Sequence, residues 1–232
     1  NTAYFIKYDE LYLGGTSSSN IYYQQFDAYI KGQLYLDVPV DPKLIALANP
    51  YGDRSGVTFL WDHAFYNGKY YSYYGHAPIY LVMLPIYFIS GYVPSNLFIL
   101  QLGVLFSISF YLLTAIYLFK LFVKKTNMFS IVLVLISMVV GSLLLANNTY
   151  EYGGMIYRIP YAYGNLFLFL TIYLFLKGYT HENKKLIYYP FASLLLVLII
   201  LSRPLLILVL IILLPILFNS IIYDKYNIPK NK

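Results

Sequence analysis

Residues 97–119 read LFILQLGVLFSISFYLLTAIYLF, a run without a charged side chain, relieved only by Gln101, Gly103, Ser107, Ser109 and Thr114. A hydrocarbon core about 30 Å thick is crossed by about 20 apolar residues in helical form. Helix is required because no water is present there to satisfy backbone N–H and C=O groups. The run therefore predicts a transmembrane helix. Working outward, further apolar segments follow at 128–146, 159–176, 188–202 and 204–222, and a shorter one, IYLVMLPIYFISGYV, precedes at 79–93. With 59% hydrophobic and 11% charged residues and a mean hydropathy of +0.61, the chain reads as an all-α polytopic membrane protein.

The final apolar block holds Arg203-Pro204 at its centre. It fits either one long tilted helix with a buried arginine or two helices turning at that pair. A charge at mid-bilayer costs several kcal/mol, and a residue before proline avoids helical geometry; the turn is the expected solution. Lysines cluster at 120, 124 and 125, at 177, 184 and 185, and at 225, 230 and 232. With the turn at Arg203 and each other segment from 97 onward spanning once, all three clusters fall on one side, which the positive-inside rule makes cytoplasmic. Residues 1–76 then lie outside the cell if 79–93 is interfacial or re-entrant, and inside if it spans. Pro85, Gly91 and the modest length favour the former. The net charge of +6 is topological information and does not point to nucleic acid, and no cysteine is present to build a disulfide or thiolate site. The chain opens at Asn1 without a signal-peptide pattern, so a piece of a longer protein is expected, with a helix before it and a continuation after it.

Residues 1–76 hold seven acidic side chains, Asp9, Glu10, Asp27, Asp37, Asp41, Asp53 and Asp62. Ile21, Phe26 and Ile30 recur at helical spacing before Gly32, predicting a short amphipathic helix. Pro39, Pro42 and Pro50 break the next stretch into turns, and Asn67-Gly68 between aromatics predicts a two-residue hairpin. The resulting picture is a helix bundle, 77–232, preceded by an extracytoplasmic loop, 1–76, of short helices and a small β-hairpin.

FDAYIKGQLYLDV (26–38), ALANPYGDR (46–54), FLWDHAFYNGKYYSYYGHAPIYLVMLPIYFISG (59–91), YEYGGMIYRIPYAYG (150–164) and LSRPLLIL (201–208) occur in an order covering nearly the whole chain. In that order they resemble the GT-C superfamily of membrane glycosyltransferases, in particular bacterial relatives of protein O-mannosyltransferases and aminoarabinose transferases. The resemblance implies a multi-pass protein of the bacterial cytoplasmic membrane. It would transfer a sugar from a polyprenyl-phosphate donor at the outer face, with an acid of the first loop as base. Where such families place an Asp or Asp-Glu pair, this chain reads GTSSSNIYY, with Asp9 and Glu10 upstream and Asp27 downstream.

Such transfer needs a carboxylate to accept the acceptor's proton and donors to hold the phosphate leaving group. Asp27, on an otherwise apolar-aromatic helix, is the first candidate base, against the alternative of a solvated or capping residue. Asp62, in LWDHAFYNG, is the second, against a role in stabilising the hairpin. Arg203 is the first candidate for phosphate, since a guanidinium fork suits its oxygens; the alternative is a structural pair with Glu151. Arg158, Lys69, Glu151, His63, His76 and Tyr71 complete the candidate substrate-binding set. Asp62, His63 and His76 match no metal-ligand spacing, so neither metal nor cofactor is assigned. Expected partners are a lipid-linked sugar donor and membrane lipids. The competing function is a non-catalytic polytopic protein, a transporter or assembly scaffold. The runs at 97–119 and 128–146 lack the mid-helix ionisable residues common in transporters.

Overall fold

The computed structural model describes residues 4–13, 20–122, 128–146 and 155–213. They fall into two compact units, Asn1–Gln101 with Glu151–Pro160, and Leu102–Tyr150 with Tyr161–Lys232.

In the first unit β1 (Phe5–Lys7) leads through a 3₁₀ turn at Tyr8–Glu10 towards α1 (Ile21–Ile30) and α2 (Pro42–Ala46). The hairpin β2 (Ala64–Tyr66) and β3 (Lys69–Tyr71) follows, then a π-helical turn at Ile79–Met83, α3 (Leu84–Ser90) and β4 (Tyr92–Pro94). The expected hairpin forms. Tyr66 pairs with Lys69, and both turn residues are left-handed, Asn67 at φ 47° and Gly68 at φ 71°, the type I′ geometry that matches strand twist. Tyr51 locks it from outside: the Phe65 N–H donates to the Tyr51 hydroxyl (2.6 Å), which donates back to the Phe65 carbonyl (3.0 Å).

Helix α1 departs from expectation. It is not amphipathic: Ile21, Tyr22, Gln24, Gln25, Phe26, Asp27 and Ala28 are all buried. Periodicity of its apolar residues missed this because its polar residues are buried too, each through a specific partner. A second difference lies at 79–93. The helical part ends at Ser90, where Gly91 adopts φ 74° and its N–H returns to the Tyr87 carbonyl at 2.8 Å. Residues 92–94 then form a strand on β1, with Ile6 opposite Val93. The Ser95 N–H donates to the Tyr4 carbonyl at 2.7 Å. The helical segment Ile79–Ser90 is a shorter apolar helix, rising about 18 Å at 1.5 Å per residue, less than a hydrocarbon core requires.

The long helices are α4 (Asn96–Phe122), α5 (Met128–Ala146), α6 (Met155–Thr180) and α7 (Lys185–Ser202). Three segments, Asn96–Leu121, Ile156–Thr180 and Lys185–Ser202, are long and apolar enough to cross a membrane; Met128–Leu144 is a shorter apolar helix. In the second unit, close approach is made at glycines. A Cβ on Gly103 would meet the Tyr163 ring, one on Gly141 the Tyr111 ring and one on Gly178 the Tyr189 ring. Small residues at such crossings let helices pack without a hydrophobic drive. Hydroxyls join the same helices: Tyr111 donates to the Ser137 carbonyl (2.9 Å) and Thr114 to the Phe169 carbonyl (3.0 Å).

The expected break after α7 is present, with Arg203 extended at φ −151° and ψ 95°. Beyond it Pro204–Leu213 winds as 3₁₀ helix rather than the α-helix expected over 204–222, opening with an i→i+3 bond from the Leu206 N–H to the Arg203 carbonyl (3.0 Å). Residues 214–222 lie outside the described residues.

Gly68 offers a clean test of the hairpin, since nothing lies within 4 Å of an added Cβ and only its φ of 71° resists substitution. Gly68→Ala should cost about 1 kcal/mol, read as a lower thermal unfolding midpoint in detergent; an unchanged midpoint would refute the I′ turn.

Candidate functional site

Asp27 sits on the buried face of α1, 3% exposed. One oxygen accepts from the Tyr8 hydroxyl at 2.5 Å and the other lies 2.9 Å from Lys31 Nζ, which also reaches Asp37 at 2.6 Å. Burial, then the bond to Asp27, pushes the Tyr8 phenol up to about 12, so it stays a donor. Both Asp27 oxygens are thus engaged by the protein itself. The carboxylate ties α1 to the 3₁₀ turn after β1.

Asp62 is placed differently. It precedes the hairpin in a left-handed conformation, φ 59°, which a non-glycine residue holds at a cost of about 1 kcal/mol or more. Its half-buried carboxylate accepts from two phenols contributed by distant stretches of chain, Tyr73 (3.1 Å) and Tyr157 at the start of α6. Burial and the neighbouring Asp62 charge both hold the Tyr73 phenol above its ordinary value, keeping it protonated to donate. Tyr73 stacks on Tyr74 with ring centroids 5.0 Å apart, and Tyr74 lies 5.6 Å from the Tyr157 ring. Beside Asp62, Trp61 is 67% exposed, its ring 4.8 Å from Phe59. A carboxylate and two phenols therefore meet at one place in the first unit.

The two histidines each bond to helix α1. His63 is buried; its Nδ1–H donates to the Trp61 carbonyl (2.6 Å) and Nε2 lies 3.1 Å from Gln24 Oε1. His76 Nδ1 bonds the Tyr29 hydroxyl at 3.0 Å. Among the described residues no group of three His, Cys, Asp or Glu side chains converges to hold a metal. Lys69 rests over the Tyr35 ring at 3.5 Å, and Tyr71 is half-buried in β3 opposite Ala64. Arg158 is half-buried in the first turns of α6; Glu151 lies outside the described residues.

Arg203 belongs to the second unit. Its guanidinium donates to the Tyr161 hydroxyl at 2.8 Å and stands 4.2 Å from that ring's centroid. Its Nε is buried and meets no acceptor among the described residues, and no carboxylate among them pairs with it. Gly164 makes room here, since a Cβ there would meet Arg203 Cβ at 3.4 Å and the Leu206 side chain closer still.

The sequence pointed to Asp62 and Arg203 but not to Tyr73, Tyr157 or Tyr161, which are hidden among 29 tyrosines. Nor did it distinguish the buried Asp27 from the half-buried Asp62. No family model, curated protein or solved structure matches this chain.

Two outcomes follow. Asp27→Ala strands the Tyr8 phenol and removes the Lys31 pair, and should lower stability by about 2 kcal/mol; Asp27→Asn, still an acceptor for Tyr8, should lose less, both read by thermal unfolding. Burial lowers the pKa of His76, and burial lowers that of His63 against opposing pushes from the Trp61 carbonyl and Asp62. A histidine with a depressed folded pKa contributes full stability above its unfolded value and loses it as pH falls through about 6.5. The unfolding midpoint should therefore drop between pH 7.5 and 5.5, and His76→Gln should flatten the drop; a midpoint that rises on acidification would contradict it.

Proposed function

We propose that the protein is a glycosyltransferase of the bacterial cytoplasmic membrane, with its long apolar helices crossing the bilayer and residues 1–76 outside the cell. The observation that carries this reading is Asp62: a carboxylate held in a disfavoured backbone conformation and gripped by the hydroxyls of Tyr73 and Tyr157, next in sequence to the exposed Trp61. Strain retained around an accessible carboxylate supports a functional rather than a purely architectural role. The order of sequence features shared with GT-C enzymes supports the same reaction class.

In this reaction the Asp62 carboxylate takes the proton of an acceptor hydroxyl as its oxygen bonds to the anomeric carbon of the donor sugar. The anomeric carbon–oxygen bond to the lipid phosphate breaks, and the electron pair leaves on that phosphate. Tyr73 and Tyr157 orient Asp62, and the exposed indole offers an apolar face to a pyranose. In the second unit, Arg203 is by its own chemistry the candidate for a phosphate, since its buried Nε meets no acceptor among the described residues. Asp27, 3% exposed and paired with Lys31, maintains the unit and takes no proton.

Asp62→Asn preserves shape and one of the two acceptor oxygens but removes the base. Sugar transfer from lipid-linked donor in membranes should fall by about 10²-fold or more, with unfolding unchanged. Arg203→Gln should lower transfer chiefly through weaker donor binding. Unchanged transfer and envelope glycans in both variants at normal expression would overturn the enzymatic reading in favour of a scaffold or transporter.

A further inference from the structure

A cavity of about 430 Å³ opens in the first unit away from Asp62, between the extended segment after α1 and the stretch leading into the hairpin. Val38, Val40, Phe59 and Leu60 form apolar walls, and Tyr70 and Asp41 supply polar groups. Apolar enclosures of this size with a few placed polar groups are what small-molecule sites look like.

Tyr70 is 2% exposed, and its hydroxyl accepts from the Leu60 N–H at 3.2 Å. A phenol has one proton to give, and that of Tyr70 finds no acceptor among the described residues. Burial, its largest influence, holds this phenol above its ordinary value, so the proton stays in place. Asp41 caps α2 by accepting from the Lys43 N–H (2.9 Å) and accepts with its other oxygen from the Thr58 N–H (2.8 Å). These donors hold its carboxyl below the usual range, so it is ionised. Among the described residues no cationic side chain forms an ion pair with it. None lines the cavity, and Arg54 sits outside the lining on the Phe59 ring at 4.4 Å. Lys43 acts on Asp41 and Arg54 on Tyr70 from outside the lining; within it the one ionised carboxylate favours a positive charge over an anion.

We propose that this cavity binds a small organic amine, its apolar body between Phe59 and Leu60, its ammonium at Asp41 and an acceptor atom, where it has one, facing the Tyr70 hydroxyl. The site is separate from Asp62 and does not depend on the transfer reaction.

Three near-isosteric probes test it on the full chain in detergent micelles by ligand-observed NMR: phenethylamine, 2-phenylethanol and phenylacetate. The amine should bind at least about tenfold more tightly than phenylacetate, a difference of about 1.4 kcal/mol, with the alcohol between. Asp41→Asn, which can still cap α2, should bring amine and alcohol within about twofold. Leu60→Trp should abolish binding by filling the hollow, provided its unfolding midpoint is retained, and Asp62→Asn should leave amine binding as it was. Equal binding of all three probes overturns the proposal. So does amine preference that persists in Asp41→Asn, the mark of micelle partitioning, or binding that survives in a folded Leu60→Trp variant.

Discussion

Helix α1 is buried on nearly every side although it carries Tyr23, Gln24, Gln25, Asp27 and Tyr29, and that one constraint organises the first unit. A buried polar group without a partner costs one to several kcal/mol, so most of these side chains reach a segment far away in sequence. Tyr23 receives the Asn96 N–H at the start of α4 (3.1 Å). Gln24 donates to the Leu13 carbonyl (2.9 Å) and faces His63, while Asp27 takes the Tyr8 hydroxyl and Tyr29 meets His76. The strand pairing of β1 with β4 closes the same unit, and Phe26 and Tyr87 pack edge to face beneath it with centroids 5.3 Å apart. The helix works as a hub in which polar satisfaction and apolar packing select the same arrangement.

The second unit obeys a different rule. Its helices are apolar nearly all round, so burial alone cannot specify how they pair. Specificity comes from where side chains are missing or hydroxyls protrude: glycines that receive a neighbour's ring, and Tyr111 and Thr114 bonding carbonyls across helices. Against that background Arg203 is the costly residue. It ends α7 in extended geometry, where Pro204 disfavours helix, and rests on Tyr161 with one N–H unmet. Among the described residues no carboxylate pairs with it.

The helices, the hairpin and the break at Arg203 were legible in the sequence because each depends on local chemistry. Length and apolar content mark the long helices, Asn-Gly can hold two successive left-handed residues, and Arg-Pro resists continuation. Less was legible of the site. Asp27 drew attention as a charge on an aromatic helix, yet its oxygens are filled by Tyr8 and Lys31. Asp62 ranked second, weighed against a role in the hairpin, yet it gathers Tyr73 and Tyr157. No pattern within either stretch could rank the two, because the ranking depends on partners separated from them by up to 95 positions.

By itself, then, the sequence determined where the chain is helical, where it turns and how apolar it is, since those properties follow from a few neighbouring residues and their transfer energies. Only the tertiary structure decided that α1 is buried rather than amphipathic, that residues 92–94 return to β1, and which carboxylate is buried beside a lysine and which is half-buried between phenols. It also decided that Asp41 and Tyr70 share one hollow. The physical reason is common to all of these: a polar group's state is set by what lies within about 3 Å of it, and in this fold those neighbours come from remote parts of the chain.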